Sequence, residues 1–64
     1  MLELYDVVEL TRPIEDIAPG SRGTVLILYP DACEIEFLEV AGARLTYSVP
    51  LDAVKLVWKN PQNA

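Results

Sequence analysis

The sequence predicts an all-β domain, a small five-stranded barrel, and three observations carry that prediction. Short runs of β-formers sit between glycine and proline breaks. Cys33, Ile35 and Phe37 alternate with Glu34 and Glu36, the two-residue period of a strand with one buried and one wet face. No stretch has the length and apolar period of an amphipathic helix.

Residues 4–10 form the first predicted strand, ended at Thr11-Arg12-Pro13, where proline removes a ladder donor. Residues 11–22 make a long connection in which Ile14 and Ile17 are isolated apolar side chains, expected to tuck back over the core. Residues 24–29 are the second strand, stopped by the turn-favouring Pro30-Asp31. Residues 33–38 are the third, and Val40-Ala41-Gly42-Ala43 turns the chain into the fourth at 44–49. Pro50-Leu51-Asp52-Ala53 places proline at the start of a single helical or 3-10 turn before a fifth strand, Val54–Trp58. Residues 59–64 have nothing to bury and read as a flexible C-terminal tail, leaving 1–58 as the domain. A long first loop, tight middle turns and a helical turn before the last strand is the order of a Src-homology-3-like (SH3-like) barrel. Closure of such a barrel removes edges that invite aggregation.

A chain of 64 residues buries only roughly 60% of its unfolded surface, so the core is small. Ten carboxylates against five bases give a net charge of -5, which disfavours a phosphate backbone and favours a basic partner. Cys33 is the sole cysteine and histidine is absent, which excludes an intrachain disulfide and zinc chemistry. The opening MLELYDVVEL lacks the basic segment of a signal peptide, and no apolar run approaches the roughly 20 residues of a membrane span. The expectation is a cytoplasmic protein with no membrane association.

Strand alternation assigns faces. Val8 and Leu10 point inward, leaving Tyr5, Val7 and Glu9 outward. Val25, Ile27 and Tyr29 inward put Leu26 and Leu28 in water, and Ile35 and Phe37 inward put Glu34, Glu36 and Leu38 outside. Val54, Leu56 and Trp58 share an inward phase in the last strand. Tyr5, Val7, Leu26, Leu28, Glu34, Glu36 and Leu38 are therefore the candidate partner-binding residues, an apolar patch with an acidic border.

Gly20-x-x-Gly23-x-Val25 resembles the KOW motif of transcription and ribosomal proteins, but only Arg22 supplies a base near the turn. A P-loop needs Lys and Ser/Thr after its last glycine at a helix mouth, whereas here Gly23-Thr24 opens a strand. Both glycines are expected to serve positive φ in the turn. Catalysis has no histidine to use, Ser21 and Ser48 lack an activating partner, and Cys33 occupies an inward position. Glu15, Asp16 and Asp31 fit no calcium-loop spacing. No catalytic residue, cofactor or metal is expected.

MLELYDVVEL, Pro-Gly-x-x-Gly-Thr-Val after the loop, Cys-Glu-Ile-Glu-Phe, a glycine turn and the last strand together resemble a small bacterial family called domain of unknown function 4926, common in cyanobacteria. The resemblance spans about Leu2 to Val57. It implies an SH3-like barrel, often encoded beside a small toxin-like protein, and hence an antitoxin or immunity role. The family brings no catalytic residues. This chain departs from it in Leu26-Ile27-Leu28 and Trp58, which puts the partner-facing surface in question.

The expected function is a non-catalytic protein-interaction module of a toxin-antitoxin system. It binds and neutralises a toxin-like partner with a basic surface, a nuclease being one candidate. The alternatives are a KOW-like nucleic-acid-binding barrel and a homo-oligomeric, for instance homodimeric, accessory subunit.

Overall fold

A computed structural model describes residues 2–38 and 44–63, the side chains of Leu38 and Arg44 excepted. The chain is all-β: strands β1 (Val7–Leu10), β2 (Arg22–Leu28), β3 (Ala32–Leu38), β4 (Arg44–Pro50) and β5 (Val54–Trp58) form one antiparallel sheet in the order β4-β3-β2-β1-β5. A 3-10 turn, Leu51–Ala53, precedes β5 as the proline at 50 predicts, and a second, Pro61–Asn63, follows it. The turn expected at Val40-Ala41-Gly42-Ala43 lies outside the described residues. Among the described residues no helix is long and apolar enough to cross a membrane.

The sheet is open. β4 and β5 are its two edges, and among the described residues they do not pair with each other, so edge protection by closure does not apply here.

β1 is shorter than the residues promise because the chain turns at Glu3–Asp6. The N–H of Asp6 donates to the Glu3 carbonyl at 3.3 Å, and Tyr5 sits at φ 69°. Pairing toward β2 survives the turn through Tyr5 N–H to the Val25 carbonyl at 2.7 Å and Val25 N–H to the Asp6 carbonyl at 3.0 Å. In the long connection Ile14 and Ile17 exchange backbone hydrogen bonds of 3.0 and 2.8 Å, which folds Ile17 into the core and lays Ile14 against it, as expected.

Val8, Leu10, Val25, Cys33, Ile35, Phe37 and Val49 project from one face of the sheet and are buried, joined by Ile17 from the loop and Ala53 from the 3-10 turn. Cross-strand rows build this core, as in Val25–Ile35–Tyr47 and Gly23–Phe37–Leu45. Phe37 meets Tyr47 edge to face at 6.0 Å, and the Tyr47 hydroxyl donates to Asp16 at 2.8 Å, pinning the Ile14–Ile17 hairpin to β4.

Two bulges reassign faces that simple alternation predicts. In β2 the register runs Val25↔Ile35, then Ile27↔Glu34 and Leu28↔Cys33. One extra residue reverses the phase, so Ile27 turns outward and is 48% exposed, and Leu28 comes round to the face of Cys33. The expected inward Ile27 and outward Leu28 are thereby corrected, and Tyr29, beyond the end of the strand, is exposed rather than buried. In β5 the register slips between Val7↔Trp58 and Val8↔Leu56, which carries Trp58 to the outer face of Val7. Trp58 is 49% exposed and not a core residue.

Gly20 has φ 89° and serves the turn as expected. Gly23 does not: it is a buried strand residue without positive φ, and its role is close packing against β3.

Candidate partner-binding surface

The bulge in β2 and the edge position of β5 leave a gap in the apolar layer. There an open groove of about 560 Å³ is lined by Leu28, Tyr29 and Pro30 on the β2–β3 side and by Leu51, Val54 and Leu56 on the β5 side, together with Leu2. Leu28, Tyr29 and Leu56 keep 36%, 44% and 42% of their surface exposed. Full burial of an exposed apolar side chain is worth about 1.5–3 kcal/mol, and covering the remaining exposed part of each of these would recover a fraction of that. Backbone bonds set the walls: Tyr29 N–H donates to the Ala32 carbonyl at 2.8 Å, and Leu51 N–H to the Asp31 carbonyl at 3.1 Å.

The candidate residues read from the sequence fall into separate places. Leu28 lines the groove. Val7, Glu34 and Glu36 are half-buried on the outer face, with Val7 between Thr24 and Trp58, Glu34 between Ile27 and Ser48, and Glu36 between Thr24 and Thr46. Leu26 is half-buried at the bulge, and Tyr5 stands exposed at the N-terminal turn. The side chain of Leu38 lies outside the described residues. Sequence reasoning missed Tyr29, Leu56 and Trp58, and the available signal was an edge strand, Val-Lys-Leu-Val-Trp, with a single polar residue.

Every base with a described side chain faces a carboxylate. Arg22 donates to Glu9 at 3.1 Å and Lys55 lies 3.5 Å from the same group, Arg12 donates to Asp52 at 2.9 Å, and Lys59 meets Glu3 at 2.8 Å and Asp6 at 3.0 Å. The Arg22 hydrogen bond holds the Glu9 carboxyl below its ordinary value against the opposing effect of desolvation. The one base beside the glycine turn is thus engaged within the chain.

Asp6 is fully buried and acts as the polar centre of the chain ends. Its Oδ2 accepts from Glu3 N–H at 2.9 Å and from Lys59 Nζ at 3.0 Å, and its Oδ1 from Asn60 N–H at 2.9 Å and Asn63 Nδ2 at 3.0 Å. Burial alone raises a carboxyl pKa. Here the Asn60 N–H, the Lys59 ammonium, the Asn63 amide and the Glu3 N–H outweigh it and hold the group well below the usual carboxylate range. Residues 59–63 are therefore not a tail with nothing to bury, as the sequence led one to expect. They satisfy a carboxylate placed more than fifty residues earlier.

Cys33 is buried in the core, where desolvation and then the neighbouring Glu34 push its thiol up, away from the reactive thiolate. Among the described residues no group of three or more His, Cys, Asp or Glu is placed to hold a metal ion. No family model, no curated protein and no solved structure matches the chain.

Proposed function

We propose that this chain is a non-catalytic protein-interaction module, an antitoxin or immunity protein that covers a basic surface of a toxin-like partner and so neutralises it. The observation that carries the reading is the leucine-walled groove, left open in a chain whose net charge is -5 and whose described bases are matched internally. Apolar walls supply affinity, and the surplus carboxylates steer a basic partner and speed encounter. The antitoxin role rests in addition on the resemblance described above. Nucleic-acid binding is the weaker reading, because Arg22 is held by Glu9 and the remaining field is acidic.

The test is co-purification from the natural host of the tagged chain and of its Leu28→Asp variant. The reading requires a basic protein retained by the parent and lost from the variant, with Tm little changed. Growth of cells producing the retained protein, with and without this chain, reads neutralisation. Salt-sensitive retention of nucleic acid, or equal retention by parent and variant, overturns it.

A further inference from the structure

The two edges of the sheet differ in how they meet solvent. Along β4 the exposed residues are Thr46, Ser48 and Pro50, Val49 is buried, and Pro50 has no N–H to offer. A proline on an edge is one of the ordinary devices that keep it from pairing with another chain. β5 is five residues long and its register slips at Val57, and its one base, Lys55, lies 3.5 Å from Glu9. Four of its five residues are apolar, Leu56 and Trp58 are 42% and 49% exposed, and among the described residues it pairs on one side only, with β1. The groove borders this same strand through Val54 and Leu56.

We infer that β5 is a strand-addition site, at which an extended segment of the partner, alternating apolar with basic side chains, pairs with the free edge and fills the groove. This inference rests on the protein-interaction reading and names its mode. A strand laid beside β5 sends every second side chain to the inner face, against Leu28, Leu51 and Leu56. The intervening side chains lie on the outer face near Trp58, whose exposed indole attracts a guanidinium or ammonium group. Charge selects this occupant over a second copy of the chain. A copy brings a second net charge of -5, whereas a basic strand has the sign opposite to the chain as a whole, and Lys55 on the same outer face is matched by Glu9.

The experiment titrates the isotopically labelled native chain with a short capped peptide alternating leucine and arginine, followed by amide chemical shifts. Two control peptides accompany it, one with glutamate in place of arginine and one N-methylated at every residue. The inference expects shifts centred on Val54–Trp58 and the groove, with affinity at least about tenfold weaker for each control and for the Leu56→Asp variant. Equal binding of the N-methylated peptide overturns strand addition without relying on any variant. Shifts centred on Glu34 and Glu36 overturn it in favour of the outer face. A peptide-free chain that sediments as a dimer dissociated by Leu56→Asp overturns it in favour of a second copy. Retention of a basic protein in the co-purification alongside any of these three leaves the interaction reading standing and removes only the strand mode.

Discussion

Gly23 lies directly opposite Phe37 across the β2–β3 pair, and the phenyl ring packs over the space a side chain at residue 23 would occupy. A Cβ there would collide with the Ile35 side chain, would lie 2.8 Å from the Glu36 carbonyl oxygen and would touch Phe37 at 3.0 Å. The backbone oxygen cannot swing aside. Gly23→Ala is expected to cost about 1–3 kcal/mol, the range for overpacking a filled core, read as a lower denaturation midpoint. A variant as stable as the parent would show that β2 and β3 can separate at this pair.

Phe37 tests the same contact from the other side. It is buried to 2% exposure and packs edge to face on Tyr47. Phe37→Ala should lose about 3–5 kcal/mol, enough to leave a small domain largely unfolded. Loss of far-ultraviolet β signal at room temperature is the expected reading, and an unchanged melt contradicts the core assignment.

Asp6 gives the fold its acid sensitivity. Its carboxyl is held low in the folded chain and titrates near the ordinary 3.8 when unfolded, so the stability it contributes is complete above that value. That stability is lost progressively as the pH falls below 3.8 toward the folded value. Lys59 has the opposite sign. Hydrogen bonds to Glu3 and then Asp6 raise it above 10.5, so its contribution is present below that pH and lost as pH rises through the folded value. Asp6→Asn should lower Tm by more than about 10 °C near neutrality, because an amide faces the Lys59 ammonium. The gap between parent and variant should narrow as the pH is lowered, and a constant gap would assign the loss to something other than charge.

Tyr5 occupies the left-handed region at φ 69°, where a side chain costs about 1 kcal/mol that glycine avoids. The residue is 55% exposed. Tyr5→Gly should therefore be more stable than Tyr5→Ala by about 1 kcal/mol, the reverse of the usual order. Thermal melts of the two variants decide it, and alanine above glycine would mean the turn at Glu3–Asp6 relaxes.

Trp58 is the sole tryptophan and stands on the outer face. Its emission should lie close to that of a solvated indole, be quenched by acrylamide, and move little on denaturation. Binding of a basic strand at β5 should shift it to the blue. A blue-shifted emission in the free chain, insensitive to quencher, would return Trp58 to the core.

Local chemistry made most of the fold legible. Proline at 13, 30 and 50 and the period of Cys33–Phe37 placed the strand ends within a few residues, because φ restriction and two-residue alternation act on neighbours. The buried set Val8, Leu10, Val25, Ile35 and Phe37 followed from the same alternation. The candidate surface was legible only up to the bulges. An extra residue in β2 and the slip in β5 are set by how paired strands accommodate each other's twist, and nothing in Val25-Leu26-Ile27 or Leu56-Val57-Trp58 announces them. Past those points every side chain changes face, which turned Ile27 and Trp58 outward, brought Leu28 to the groove and divided one expected patch into two. The carboxylate of Asp6 was equally unreadable. In sequence it is one acid among ten, and only the fold sets it beside Lys59, Asn60 and Asn63, where burial compels a charged group to find partners from the far end of the chain.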